Sequence, residues 1–463
     1  MDTRDMDRRL VLTHYRGAKA VFLIEDDSLN GIWLETKADH SRIGEIYVGK
    51  IKSVADGIGA AFVEYEKGLV GFLPLAQIKP DMILNRDNPD KISPEQELLV
   101  QVYKDPMKHK DATLTTDLLF SGKYLILTPV SPGIRFSRKL KREQKKALLA
   151  VIDEVLTELF GSSEVFLSRY GLIVRTNAVF AGFMELFYEL HELFHNAGQV
   201  KSISANRTAF TLLYRDCPFY QRVIRDQYDL PHIRIYTDDA AIKEELEPKQ
   251  EWDYDTSDLS SIFHLNEEER KHYAAFMQNF KDRAATESRF GLRSDAADDE
   301  TTEKDEAPAN EIILWDDPSY GLLQRYNIAS EFEKALSKRV WLRSGGFLII
   351  EPTEALTVID VNSGKAASRK KVPEEFNLRI NLEAAYEIAR QLKLRNLSGI
   401  IIVDFINLDR EENREELLHE LGRLLRKDPI GAALVDMTGL GLVEITRKKT
   451  EAPLAEKAKQ LSE

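Results

Sequence analysis

Cysteine is almost missing: the 463 residues hold a single one, Cys217. One thiol closes no disulfide within the chain and builds no cysteine-cluster zinc site, and such sparing use fits a reducing compartment. Long apolar runs are missing too, none approaching the roughly 18 residues that a bilayer span requires. The charged start, Met1 to Arg9, is not followed by the apolar core and small-residue cleavage site of a secretory signal. A cytoplasmic protein is expected. Positive charge is in deficit, the net charge being −13, and taken alone this argues against a polyanionic partner, because counterion release needs lysine and arginine against phosphate. Its distribution changes the argument. Acid collects in Glu244 to Asp258 and Asp295 to Glu306, polar stretches that read as solvated, flexible insertions. Against them stand basic clusters at Arg135 to Lys146, Arg369 to Lys371 and Arg447 to Lys449. Such a cluster is by default a solvated face, and only a minority touch nucleic acid.

What is present is enough for about three domains or subdomains by length, with 43% apolar residues to fill their cores. Residues 10 to 36 alternate as strands around Asp26 to Gly31 and predict a β-hairpin. Short strands follow at Ile46 to Val54, Ala60 to Tyr65, Val70 to Leu73 and Leu98 to Tyr103, punctuated by Gly57, Gly59, Gly68 and Pro74. That spacing predicts a small barrel of about five strands, the OB arrangement. Phe62 and Phe72 fall on neighbouring strands where they can share a face as stacking platforms for bases, although an aromatic in a barrel is more often core. Amphipathic helices at Lys141 to Leu159 and Ala178 to Ala197 flank an apolar strand closed by Arg175 and Thr176. A guanidinium fork beside a hydroxyl suits phosphate oxygens; equally, Arg175 suits a surface ion pair and Thr176 a turn. Further on come strands at Leu212 to Tyr214, Ile233 to Tyr236 and Ile312 to Trp315. A basic helix runs through Arg222 and Arg225, and other helices are expected at Asn266 to Lys281 and Ala329 to Lys338.

Two apolar segments that end in aspartate carry the chemistry. Glu354-Ala-Leu-Thr-Val-Ile-Asp360-Val-Asn362 and Gly399-Ile-Ile-Ile-Val-Asp404 are rich in Thr, Val and Ile, the composition of buried strands, and a carboxylate at a strand end can emerge at the edge where open α/β sheets bind ligands. Between them Leu378, Leu382, Ala385, Ile388, Ala389 and Leu392 recur at helical spacing, so the segment reads as strand, crossover helix and parallel strand. Two carboxylates brought to one edge repel each other unless a cation lies between them or one is protonated. Oxygen-only ligation suits Mg²⁺, with Mn²⁺ as the alternative, completed by water and substrate phosphate. Asn362 is placed to orient Asp360 or touch that phosphate, and Glu354 lies on the same face of an extended chain. The opposing reading is that each aspartate caps the turn that follows it.

The residues Thr353 to Ser363, Asn381-Leu-Glu-Ala-Ala385, Ile388-Ala-Arg-Gln-Leu392 and Ile401-Ile-Val-Asp404-Phe-Ile406, in this order, resemble the ribonuclease E/G family. Upstream, Ala60-Ala-Phe62-Val and Gly71-Phe72-Leu-Pro74-Leu are similar to its S1-type RNA-binding domain, and Gly171-Leu-Ile-Val-Arg175-Thr176 to its sensor for a 5′-monophosphate. The resemblance implies a multidomain α/β and β fold. Residues 1–40 with 217–338 would form a ribonuclease H-like subdomain, interrupted by an OB-fold S1 barrel at 41–120 and a 5′-sensor region at 121–216. A deoxyribonuclease I-like catalytic subdomain and short tail would occupy 339–463. It implies Mg²⁺ at Asp360 and Asp404, with Asn362 and Glu354 in support. Cleavage would fall within single-stranded, AU-rich RNA, messenger and ribosomal precursors included, leaving 5′-phosphate and 3′-hydroxyl ends. Phe62, Phe72, Lys110 and Arg138 would contact RNA, and Gly122, Ile126, Arg175 and Thr176 would hold its 5′-monophosphate.

The chain departs from the better-known members, which carry a Cys-Pro-x-Cys segment after the catalytic domain through which two chains share a zinc. Here Val443 to Lys449 is followed by a short charged tail without cysteine. No cysteine-ligated zinc is expected, a compact ribonuclease G-like form is implied, and any homo-oligomer must do without that link. The competing expectations are a non-catalytic RNA-binding or ribosome-associated S1 protein and a metal-dependent deoxyribonuclease.

Overall fold

The computed structural model describes residues 7–35, 41–85, 92–106, 110–204, 206–226, 233–246, 271, 312–317, 319–364, 374–449 and 451–461. The expected helix at 266–281, apart from residue 271, the acidic stretch 295–306 and the basic cluster 369–371 lie outside them. The chain divides into two compact units. One comprises Met1–His40, His232–Glu247 and Pro308–Glu463, the other Ser41–Pro231 and Pro248–Ala307.

The first unit opens with a three-stranded meander, β1 (Arg8–Tyr15), β2 (Ala18–Glu25) and β3 (Ser28–Glu35). One hairpin is expected from the sequence and two are present, because both links are two-residue turns with positive φ throughout, at Arg16-Gly17 and Asp26-Asp27, the geometry that matches strand twist. Four consecutive residues are buried in β1 and five in β2, so both faces are covered and alternation is weak there.

The second unit begins with β4 (Ile46–Ala55), β5 (Ala60–Glu66), β6 (Leu69–Pro74), β7 (Glu97–Lys104) and β8 (Ala112–Thr115). They pair in the order β4-β5-β6-β8-β7 and return to β4, closing a five-stranded barrel. Ile51, Val63, Leu73, Val100 and Leu114 fill it. Next come β9 (Phe120–Ser121), β10 (Leu125–Thr128), β11 (Gly133–Phe136), α1 (Arg142–Phe160), α2 (Ser163–Arg169), β12 (Gly171–Val174), α3 (Phe183–Ser204), β13 (Leu212–Tyr214) and α4 (Phe219–Asp226). The strands β11-β12-β10-β9 make a second sheet, packed on the stripe of α3 formed by Leu186, Leu190, Leu193 and Ala197. Helix α3 starts later than its periodicity predicts, since Thr176–Phe180 is a 3-10 turn. Helix α2, which the sequence reading leaves out, is started by Ser162, whose hydroxyl accepts the Val165 N–H.

Back in the first unit, β14 (Arg234–Thr237) and β15 (Ile312–Leu314) add in parallel to β1, completing the sheet β15-β14-β1-β2-β3. Between them α5 (Ala240–Leu246) takes Glu244 and Glu245 into a helix, so the expected insertion does not begin at Glu244. Helices α6 (Leu322–Arg325) and α7 (Ile328–Leu336) bury Leu322, Ile328 and Phe332 with Phe22, Ile24 and Leu29. The remaining elements are β16 (Arg339–Trp341), β17 (Phe347–Pro352), β18 (Leu356–Asn362), α8 (Glu374–Leu394), β19 (Gly399–Asp404), α9 (Glu411–Leu425), β20 (Ala432–Met437), β21 (Leu442–Arg447) and α10 (Leu454–Gln460). Their sheet runs β16-β17-β18-β19-β21-β20, and only β18 and β19 are parallel.

Helices α8 and α9 pack on one face of this sheet. There Leu378, Ala385, Ile388, Leu392, Leu417 and Leu421 meet Ile359, Val361, Ile401, Val403, Val443 and Ile445. The other face is open, with Val358 38% and Ile400 55% exposed. The aspartate strands are therefore not covered on both sides as their composition predicts; β-branched residues also satisfy strand propensity on a half-buried surface. Helix α8 reaches beyond its own sheet, because Leu394 enters the core of the first sheet and Arg390 Nη1 donates to Leu29 O at 2.6 Å. No helix among the described residues is long and apolar enough to cross a membrane.

Of the basic cluster Arg447 to Lys449, Lys448 and Lys449 are exposed but Arg447 is not part of a solvated face. Arg447 is buried, its Nε donates to Asp428 at 2.9 Å, and its Nη1 donates to Asn396 Oδ1 and Leu397 O. It fastens the link that delivers β19 to the sheet. Stranding Asp428 without its partner should cost about 3–5 kcal/mol. Urea unfolding of Arg447→Ala should show this loss, whereas the neighbouring Lys448→Ala should stay within about 0.5 kcal/mol of wild type.

Candidate active site

The buried face sets the geometry. Ile359 and Val361 on β18 and Ile401 and Val403 on β19 point into the helix-covered core, so Asp360 and Asp404 must point to the open face, and a one-residue slip would invert both strands. In the observed register Asp360 lies directly opposite Asp404, on strands about 4.8 Å apart. Asn362 Nδ2 donates to Asp360 Oδ2 at 2.6 Å, fixing that carboxylate. The two loops that leave these strands are pinned. After Asn362 comes Gly364 at φ +62, where a Cβ would lie 2.3 Å from Gly345 O, so only glycine fits. After Asp404, the fully buried Asn381 of α8 donates to Ile406 O and accepts the Ile406 N–H. On the same helix Glu383 accepts the N–H groups of Arg343 and Ser344.

Glu354 is not brought to this pair. It lies exposed in the turn between β17 and β18, and the four residue steps of strand from Leu356 to Asp360 alone span about 13 Å. Glu444 is on the open face, opposite Ile402 and hence a diagonal neighbour of Asp404 at about 7–8 Å. Among the described residues no three His, Cys, Asp or Glu side chains gather as a metal group. The donor set is thus two carboxylates, too few for a tetrahedral zinc site but matched to Mg²⁺, which binds one or two carboxylates and keeps several waters.

In the barrel, Phe62 of β5 and Phe72 of β6 are register partners, with ring centroids 6.2 Å apart and planes at 76°. Both are half-buried and outside the core that Ala61, Val63 and Leu73 help fill. They form an outward aromatic pair rather than core. Lys110, two residues before β8, and Arg138, after β11, are exposed.

The third group of candidates converges around Arg175. Its backbone N–H donates to Tyr124 O, and its guanidinium donates to Gly122 O at 2.7 Å and Asp226 Oδ1 at 2.9 Å. Thr176 Oγ1 lies 2.9 Å from Ser137 Oγ, and Ile126 pairs with Ile173 on β10 and β12. Beneath them is Glu189, which the sequence reading does not single out. Its carboxylate accepts the N–H groups of Lys123, Tyr124 and Leu125 at 2.6–2.7 Å, and a Cβ on Gly122 would meet it at 2.4 Å. The available signal is a carboxylate three residues after Leu186 and four before Leu193, inside the apolar stripe of α3. Nearby, Arg225 grips Asp216 with two hydrogen bonds. Burial pushes the Cys217 thiol up to about 12, which keeps the lone cysteine from acting as a nucleophile at neutral pH.

These parts define an α/β protein with a carboxylate pair on an open sheet face, combined in one chain with a closed OB-type barrel. Comparison with known proteins narrows the class. Residues 41–113 match the S1 RNA binding domain and residues 120–297 and 293–450 the Ribonuclease E/G family; the chain belongs to that family. It is 31% identical to a Ribonuclease E of Nostoc sp. over 448 residues, 96% of this chain and 56% of the relative. To a Ribonuclease E of Synechocystis sp. it is 31% identical over 457 residues, 96% of this chain and 57% of the relative. To Ribonuclease G of Escherichia coli it is 29% identical over 442 residues, 93% of this chain and 77% of the relative. The chain therefore spans little more than half the length of the two ribonuclease E relatives.

Burial pushes the Glu189 carboxyl up to about 7, outweighing the three N–H donors and the charge of Arg175, which favour ionisation. A carboxyl raised in the folded state stabilises the fold below its unfolded value and loses that contribution as pH rises through the folded value. Thermal midpoints of wild type should therefore fall relative to Glu189→Gln between about pH 5 and pH 8; a constant difference across that range would rule out the buried titration.

Proposed function

We propose that this chain is a Mg²⁺-dependent endoribonuclease that hydrolyses single-stranded RNA to 5′-phosphate and 3′-hydroxyl ends, in the cytoplasmic processing and decay of ribosomal and messenger RNA. The observation that carries this reading is the register pairing of Asp360 with Asp404 on an open face, with Asn362 bonded to Asp360. Asp360 and Asp404 would hold Mg²⁺ (or Mn²⁺), which would supply Lewis-acid chemistry at the scissile phosphate and activation of the attacking water. The two aspartates present the oxygens that hold it, and Asn362 keeps Asp360 in one rotamer. Preference for AU-rich sequence rests on the family resemblance alone.

On this reading Phe62 and Phe72 stack bases, as outward aromatics on a barrel can regardless of sequence, and Lys110 and Arg138 meet phosphates. Gly122, Ile126, Arg175 and Thr176 receive a 5′-monophosphate. The first sheet with α6 and α7 is read as the ribonuclease H-like subdomain, over 1–40 and 217–338, and the sheet of the aspartates as the deoxyribonuclease I-like one, over 339–463. In sequence the S1 domain, 41–120, and the sensor region, 121–216, interrupt the ribonuclease H-like subdomain.

Asp360→Asn should abolish cleavage of a short AU-rich RNA while leaving its binding nearly unchanged, and Asn362→Ala should lower activity roughly 10- to 100-fold. Wild-type protein that binds RNA with Mg²⁺ present but never cuts it would instead make this a non-catalytic RNA-binding protein; equal cutting of matched DNA would make it a general nuclease. Separately, Arg175→Ala should erase any rate difference between 5′-monophosphate and 5′-hydroxyl substrates, and a difference that persists removes Arg175 from the sensor.

A further inference from the structure

Trp341 is 63% exposed although it belongs to a sheet. The cause is its side of β16: Val340 turns into the core with Leu348, which leaves Arg339 and Trp341 on the open face beside their partners Ile349 and Phe347. The Trp341 and Phe347 rings meet edge to face, centroids 5.3 Å apart and planes at 61°. The Arg339 guanidinium lies 4.5 Å from the Phe347 centroid and 5.5 Å from that of Trp341. The face is shared with the carboxylates, since Phe347 is opposite Asn362 and Ile349 opposite Asp360. Two strand spacings, about 10 Å, separate Trp341 from Asn362.

From this juxtaposition we infer that Trp341, Phe347 and Arg339 form a stacking subsite for one nucleobase of a single-stranded RNA lying across the carboxylate pair. The inference rests on the nucleic-acid reading of that pair. An exposed indole, braced by a second ring and a guanidinium, offers a large flat π-surface already held in position. Every base has a π-face to set against it. Arg339 adds attraction for the base and a charge for the adjoining phosphate. Arg339 thus places a positive side chain on the same face as the two carboxylates, where a phosphate beside the stacked base can meet it. Between the two places Ile349 is apolar and Asn362, opposite Phe347, is already bonded to Asp360, so the subsite selects by stacking strength rather than by reading base edges.

The test uses the full chain and a short single-stranded RNA, with and without an abasic position beside the cleaved bond. Binding is measured by anisotropy in chelator, and cleavage in Mg²⁺. Trp341→Ala should weaken binding and raise KM roughly 5- to 100-fold with kcat little changed, and Trp341→Phe should recover most of the loss. The abasic substrate should show the same loss with wild type and no further loss with Trp341→Ala. Unchanged affinity in Trp341→Ala, or separate and additive losses from the variant and the abasic site, would overturn the subsite. So would a variant that keeps its RNA affinity and only loses self-association in sedimentation, since the face would then belong to a second copy. If wild type cuts nothing but the binding pattern holds, the catalytic reading fails and the subsite stands.

Discussion

The arrangement depends on one parallel strand pair. Every other neighbour in the six-stranded sheet is antiparallel, and an antiparallel link can be a tight turn. A parallel link needs a crossover, and α8 supplies it. The helix does more than connect. Its apolar stripe fixes which residues of β18 and β19 face inward, and so puts Asp360 and Asp404 on the same outward row. Asn381 and Glu383 extend from it to the two loops beside the site, and Arg390 and Leu394 tie its far end to the first sheet. One helix therefore holds register, loop position and the connection between the sheets of the first unit.

That constraint acts against electrostatics. Two carboxylates separated by no more than the strand spacing, about 5 Å, would repel by roughly 1–3 kcal/mol at effective dielectrics between those of water and a protein surface. The Asn362 bond offsets about 1 kcal/mol of this, and solvent exposure of Asp404 screens more. A sequence selected only for stability would not place two like charges on the same row of adjacent strands. The cost is carried by the surrounding scaffold, including the buried Arg447–Asp428 pair at the entrance to β19. On the proposed reading the charge of the pair would be completed by a bound cation.

How much of this the sequence discloses follows from which interactions are local. The strand, crossover helix and strand are legible because Thr, Val and Ile runs and a helical apolar repeat are one-dimensional signals. The opposition of Phe62 and Phe72 is legible because a short hairpin link sets their register. The open sheet face is not, since Ile400, Ile402 and Val358 read as core whether or not anything covers them. Arg447 reads as surface charge because its partner Asp428 lies in another element. Glu354 fits the two-residue period of an extended chain, but the strand begins only at Leu356. Glu189 and Asn381 are ordinary polar residues on helices until the backbone groups that meet them are in place.

The second unit handles its positive charge in a related way. Arg175 is bonded to Asp226, Arg225 to Asp216, and Arg42 to Glu66, so these three guanidinium groups are already paired. On the proposed reading, a phosphate reaching Arg175 exchanges with the Asp226 carboxylate instead of meeting a bare guanidinium. A phosphodiester carries one negative charge, the same as the carboxylate it must displace, and gains little by the exchange. A terminal phosphomonoester carries about −1.5 to −2 near pH 7 with three acceptor oxygens, and it can use the guanidinium fork and the Thr176 hydroxyl together. On that reading Asp226 would turn a general attraction for nucleic-acid backbone into discrimination for a chain end.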